Sequence, residues 1–214
     1  MPFLKDSDKE HVKERFENLV GKVKLIVFTQ EMECMYCQET RELMEEVASL
    51  SDKIDVEVYD FVKDERKVEE YKIDKIPAVV VEGAKDYGVR FYGIPMGYEF
   101  ISLIEAISTV STKESNLSRN TRAELRKLKQ PVHIQVFVTL TCPYCSQAVS
   151  LAHKLAMESD FITADMVESA EFPHLAQKYG VMAVPKIILN EDIQFEGALP
   201  ESPFVENVMK TQTT

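Results

Sequence analysis

The chain has 214 residues, 45% hydrophobic and 29% charged, the balance of an ordinary globular protein. Its formal net charge of −11 is spread along the chain, which argues against nucleic acid and anionic membrane surfaces as partners, since both need a basic patch. No apolar run reaches the ~18 residues of a membrane span, and MPFLKDSDKE at the amino terminus lacks the apolar core of a secretory signal, so the expectation is a soluble cytoplasmic protein.

Taken in order, a charged amphipathic stretch at 9–20 predicts a helix, and the apolar run 23–28 a strand. Cys34 and Cys37 follow, opening a helical pattern in which Cys37, Met44 and Val47 share a face. An alternating strand at 54–61 leads to a short helix ending near Tyr71, then to two strands around a turn (PAVVVEG…GVRFYG) and a closing helix. The segment STKESNLSRN, 111–120, is polar and poor in apolar residues, the natural junction between a unit at 1–113 and one at 114–214. Beyond it, 121–128 predicts a helix with its N-cap at Ser118 or Asn120, and 132–138 a strand. Cys142 and Cys145 open a helix that aligns Cys145, Ala148, Val149, Ala152 and Leu155. A strand at 161–167, a helix carrying Phe172, Leu175, Ala176 and Tyr179 with Gly180 as its stop, two strands around a turn and a last helix complete the chain.

The two halves repeat one another. Cys34 and Cys142 stand 108 positions apart, and the same offset carries Tyr71 onto Tyr179, Ile73 onto Val181, Ile76 onto Val184 and Pro77 onto Pro185. Each proline follows the first cysteine of its half by 43 positions. The shared order, α-βαβαββα in each unit, predicts an α/β protein of two tandem units, each with a central mixed sheet and helices on both faces.

All four cysteines fall in the two CxxC pairs, which leaves metal or redox chemistry rather than a scattered disulfide scaffold. A compact four-thiolate zinc site separates its pairs by ~15–20 residues, far less than here. His11, His133, His153 and His174 show no spacing that matches them to the cysteines, so no metal is expected. A dithiol explains more. A first cysteine at a helix start faces unpaired N–H groups and the positive end of the dipole, which favours thiolate. The second, one turn on, is shielded yet able to attack a mixed disulfide on the first. On this reading Cys34 and Cys142 are the nucleophiles, Cys37 and Cys145 the resolving thiols. A proline that merely starts a strand is common; two at the same distance from a CxxC are harder to dismiss.

A strand, a CxxC at a helix start, and a β-branched residue plus proline ahead of a hairpin resemble the thioredoxin fold in both halves, and CPYC resembles the motif of glutaredoxins. Two such units with both pairs present resemble the glutaredoxin-like protein disulfide oxidoreductases of thermophilic archaea and bacteria. The resemblance implies that Pro77 and Pro185 are cis and that Ile76 and Val184 offer backbone to a substrate peptide. It also implies reduction, oxidation and isomerisation of protein disulfides with no bound cofactor. Electrons would come from NADPH through a thioredoxin-reductase-like flavoprotein. Two alternatives stay open: a tandem electron carrier to a peroxiredoxin, whose family members typically keep one working CxxC, and a redox-inactive binding module. The buried aspartate that thioredoxins carry six residues before the first cysteine is replaced by Phe28 and Val136. The Gly-Gly pair with which glutaredoxins cradle glutathione is missing from both strands.

The two motifs differ in their approach. Glu31 and Glu33 precede Cys34 where Thr139 and Thr141 precede Cys142, and negative charge opposes a thiolate, so Cys34 should have the higher pKa and the second site should be the more oxidising. Tyr36 and Tyr144, inside the motifs, are expected to shape the rim around the sulfurs.

Overall fold

The computed structural model describes residues 3–212. The first unit runs α1 (Asp6–Phe16), β1 (Val23–Thr29), α2 (Cys37–Ala48), β2 (Ile54–Asp60), α3 (Glu65–Tyr71), β3 (Ala78–Glu82), β4 (Asp86–Tyr92) and α4 (Glu99–Thr112). The second repeats the order as α5 (Arg119–Leu125), β5 (Val132–Val138), α6 (Cys145–Glu158), β6 (Ile162–Glu168), α7 (Pro173–Lys178), β7 (Lys186–Leu189), β8 (Ile193–Glu196) and α8 (Glu201–Lys210). Each unit is the α/β arrangement that its periodicity predicts. Of the two candidate N-caps for α5, Ser118 holds the place, its Oγ accepting the N–H of Thr121 at 3.2 Å.

The two sheets are one. The strands lie in the order β2-β1-β3-β4-β6-β5-β7-β8, with β1–β2, β4–β6 and β5–β6 parallel and the other neighbours antiparallel. The seam is β4 against β6, in register from Val89↔Ala164 to Tyr92↔Val167. In a lone unit β4 would be an unpaired edge, which a sheet protein must cover. Here the second unit covers it.

Alternation along the strands sorts the residues between the two faces. One face carries Val23, Leu25, Val27, Val79, Phe91, Ile134, Val136, Ala164, Met166 and Ile187, packed under α1, α2, α4, α5, α6 and α8. That core runs unbroken across the seam. Each large apolar side chain fully buried there contributes about 1.5–3 kcal/mol. The other face holds Ile26, Phe28, Val80, Tyr92, Phe137, Val167 and Ile188 beneath α3 and α7. Polar groups close the rest of that face: Arg90, buried, donates from both Nη atoms to the Asp86 carboxylate, and His133 Nε2 lies 2.6 Å from buried Asp165 Oδ2.

Loops finish the joint. The N–H of Tyr98 donates to the carbonyl of Leu140 at 3.1 Å. Gly97 just before it has φ +59°, and a Cβ there would overlap the Leu140 carbonyl, so only glycine lets the two loops meet. On α6, His153 is buried with Nε2 3.1 Å from the Arg90 carbonyl and its ring edge-on to Phe91 at 4.8 Å.

Candidate active site

Both CxxC loops leave the carboxyl ends of inner strands, β1 and β5, and both second cysteines are the first residues of helices. This shifts one expectation by three residues. Helices α2 and α6 begin at Cys37 and Cys145, with Tyr36 and Tyr144 at the N-cap positions and neither offering a side-chain cap bond. Cys34 and Cys142 therefore stand in the turn ahead of the helix rather than in its first residue. They still face the amino-terminal end, where uncapped N–H groups favour a thiolate.

The cysteines are paired as Cys34–Cys37 and Cys142–Cys145, each with Cα atoms 5.5 Å apart. Both resolving positions are sealed, Cys37 at 1% exposure and Cys145 at 0%. The first cysteines differ, since Cys34 is half-buried and Cys142 is only 8% exposed. A sulfur reachable on one side and a partner hidden behind it is the division of labour a dithiol exchanger needs.

Each unit also carries a proline loop at the start of its hairpin. The Ile76–Pro77 and Val184–Pro185 peptide bonds are cis. Pro77 and Pro185 are buried, Ile76 and Val184 half-buried. The carbonyl of Pro77 accepts the N–H of Gly93 at 3.0 Å, and that of Pro185 the N–H of Gly197 at 2.8 Å, so both hairpins are pinned in the same way. In the second unit the Cys142 Sγ lies 3.8 Å from the carbonyl oxygen of Val184, a geometry in which the reduced thiol can donate to it.

The residues of the rim are spread outward. Glu31 and Glu33 are exposed and cap nothing, and Glu33 adopts a left-handed φ of +59° directly before Cys34. Tyr36 and Tyr144 point to solvent, as do Met32, Met35 and Met182. Phe28 and Val136 are fully buried and apolar, so no acid lies at the position thioredoxins use.

Buried acids do lie along the seam, and the residue pattern did not single them out. Glu99, the first residue of α4, is fully buried beside the Tyr98–Leu140 contact, two residues ahead of Cys142. Ser102 Oγ donates to its Oε2 at 2.7 Å, while Oε1 has no partner among the described residues. Burial, only partly offset by Ser102, pushes the carboxyl up to about 7. Glu168, the last residue of β6, and Glu171, in the connection to α7, form a second such group, and burial raises both. A Glu at a helix start or strand end reads in sequence as a solvated first-turn acid, so no local signal could have found these. The histidines have other work: burial drives His153 down to about 4, and although burial alone would lower His133, Asp165 holds it above the ordinary value. Among the described residues no group of three or more His, Cys, Asp or Glu is arranged to hold a metal ion.

A thioredoxin-domain family model matches the chain twice, over residues 22–105 and 132–210. The crystal structure of a protein disulfide oxidoreductase from Aeropyrum pernix K1 superposes with a TM-score of 0.93 at 32% identity, over 100% of this chain and 95% of that one. The NTD_N/C domain of alkyl hydroperoxide reductase AhpF from Enterococcus faecalis (V583) superposes with a TM-score of 0.89 at 27% identity, over 95% and 99%. Among curated sequences, a NADH dehydrogenase of Bacillus subtilis is 29% identical over 69% of this chain and 27% of its own length. The corresponding alkyl hydroperoxide reductase protein of Staphylococcus aureus is 26% identical over 85% of this chain and 33% of its own. The chain thus spans about a third or less of these curated relatives. No helix among its described residues is long and apolar enough to cross a membrane.

Proposed function

This chain belongs to the thioredoxin-domain family, one domain in each half, and from that premise we propose that it is a protein disulfide oxidoreductase with two working dithiol sites. The observation that carries the reading is the paired geometry, built twice: a first cysteine in the turn ahead of a helix, bonded to a sealed partner three residues on, in a unit that also carries a cis-proline loop, which in the second unit lies against the sulfur. In each exchange, a substrate thiolate attacks the Sγ of Cys34 or Cys142, the disulfide to Cys37 or Cys145 opens, and the released thiolate takes up a proton. Run in reverse, Cys37 or Cys145 attacks the mixed disulfide and the substrate leaves as a thiolate. The backbone of Ile76 and Val184, ahead of Pro77 and Pro185, holds the extended substrate segment. Tyr36 and Tyr144 form the apolar approach, and Glu31 and Glu33 set the first sulfur apart from the second.

The substrates on this reading are protein disulfides and thiols in the cytoplasm. Electrons reach the sites from NADPH through a thioredoxin-reductase-like flavoprotein. Insulin reduction followed by turbidity, with wild type and with each CxxC changed to SxxS, tests it. Turnover that falls with either pair supports two sites; no acceleration over dithiothreitol alone, with unreactive thiols, would sink the reading in favour of a binding module.

A second reading, delivery of electrons to a peroxiredoxin, draws support from the likeness to the alkyl hydroperoxide reductase domain. Peroxide-dependent NADPH oxidation, reconstituted with a flavoprotein reductase and a peroxiredoxin, separates the two. Loss of that flux in the Cys142→Ser variant with insulin reduction retained would favour the carrier.

A further inference from the structure

The register of the sheet fixes where the two CxxC loops stand relative to one another. Phe28 pairs with Ala78, Ala78 with Tyr92, Tyr92 with Val167 and Val167 with Phe137, so one row of residues crosses from β1 to β5. Strand β3 is antiparallel to both β1 and β4, and β4, β6 and β5 are parallel, so β1 and β5 run in the same direction. Both loops therefore leave the same edge of the sheet, Cys34 six residues past Phe28 and Cys142 five past Phe137. They share a face too, because Leu43 and Val47 of α2 and Val149 and Leu155 of α6 pack into one core. Pro77 and Pro185 adjoin the same row, at Ala78 opposite Phe28 and at Lys186 opposite Phe137.

Four strand-to-strand steps of ~4.8 Å put ~19 Å between the ends of β1 and β5. The twist of the sheet splays the loops further. A continuous sheet, not a linker, sets that gap. Residues 93–98, which leave β4 between the two loops, include no charged side chain. We propose that the two sites hold two cysteines of one substrate chain at the same time. The inference rests on the oxidoreductase reading and narrows its substrates to chains whose cysteines lie at least about six residues apart, the extended reach that ~19 Å demands.

With the first site reduced and the second oxidised, the Cys34 thiolate attacks a substrate disulfide. The Cys34–substrate bond forms, and the other substrate sulfur leaves with the electron pair. That thiolate attacks the Cys142 Sγ, the Cys142–Cys145 bond breaks, and the Cys145 sulfur leaves with its electron pair and takes up a proton. The substrate is then bonded at both sites, and either bond can exchange while the other prevents escape. Attack by Cys37 and by Cys145 closes both CxxC disulfides and frees two substrate thiols, so the electrons of the first site have passed to the substrate. The second capture is intramolecular, at an effective concentration in the millimolar range when the spacer between the cysteines matches the gap.

The test uses the full chain carrying Cys37→Ser and Cys145→Ser, which leaves Cys34 and Cys142 as nucleophiles that capture a substrate and cannot release it. The probes are peptides with two cysteines, each activated as a mixed disulfide with thionitrobenzoate, separated by a single glycine or by about twelve Gly and Ser residues. The long spacer has a mean reach of ~20 Å, while a single glycine allows only ~7 Å between the cysteine Cα atoms. Intact mass and the released chromophore count the bonds formed. With protein and peptide each at about 10 μM, the long peptide should end bonded twice to one chain, at least about tenfold in excess of every other adduct. The short peptide should stay bonded once. Long peptides bonded once or across two chains, or equal double capture of the short one, would overturn the proposal. One-cysteine peptides separate the two readings. If both sulfurs capture them and double capture still fails, this proposal alone falls; a sulfur that captures none removes its site from the oxidoreductase reading and the proposal with it. Should the serine variant fail to fold, Cys37→Ala with Cys145→Ala decides in the same terms.

Discussion

The Cys142 Sγ and the carbonyl oxygen of Val184 are 3.8 Å apart, which places the sulfur of the second site against the backbone of the residue before Pro185. On the proposed reading, an attacking thiol held there meets a substrate strand laid along that same backbone. Replacing Val184 by Pro removes its N–H while leaving the sulfur untouched. One lost hydrogen bond of about 1 kcal/mol predicts a roughly fivefold fall in kcat/KM for a disulfide peptide. The iodoacetamide reactivity of Cys142 should not change. A parallel loss of reactivity would place the effect in the sulfur's surroundings and not in substrate pairing.

The exposed glutamates before Cys34 should set the first thiol apart. Neutralising both, as Glu31→Gln with Glu33→Gln, is expected to lower the Cys34 pKa by ~0.5 unit, because the charges are solvated and screened. Alkylation rates against pH, in a Cys142→Ser background, measure it. The shift should shrink in high salt, and a shift that ignores salt would point away from a charge effect.

Glu99 makes stability fall as the solution turns basic. Its folded pKa, about 7, lies above the ordinary 4.5. Between those values the unfolded chain has released the proton and the folded chain still holds it. Folding is therefore favoured by this group at low pH, and that contribution is lost as pH rises through 4.5 to 7. The full change is on the order of 3 kcal/mol. Urea unfolding at several pH values should show Glu99→Gln gaining on the wild type by that order from pH 4 to pH 8. A constant difference between the two would remove the buried acid as the cause.

His153 acts on the opposite limb. Its folded pKa of about 4 lies below the ordinary 6.5, so acid protonates the unfolded chain first. Stability present above 6.5 is lost as pH falls through 4, again on the order of 3 kcal/mol. His153→Leu gives up the bond to the Arg90 carbonyl and should be less stable at pH 8. Its deficit should narrow steadily toward pH 4. A deficit independent of pH would mean that the imidazole stays neutral for another reason, or is solvated.

Most of each unit was legible in the residues. Strand β5 has the bounds its apolar run suggested, and Ser118 caps α5 as one of two candidates. The reason is local: period-2 and period-3.6 patterns report which face of an element is buried, whatever covers it. The starts of α2 and α6 were less well placed, because a CxxC turn and a first helical turn share the same residue types. The tethering of a tyrosine N–H to Leu140 through Gly97 has no pattern at all.

By itself, then, the sequence determined the two units, their order of elements and the chemistry of their cysteines, since repetition and spacing survive without knowledge of contacts. Only the tertiary structure decided that β4 pairs with β6 and makes one sheet of two. Edge pairing depends on exposed backbone groups that every residue carries alike, so no side-chain pattern announces it. That pairing also decides which acids are buried. Glu99, Glu168 and Glu171 read as solvated residues along the chain, and become groups whose carboxyls burial pushes above the ordinary carboxylate range once the partner unit closes over them.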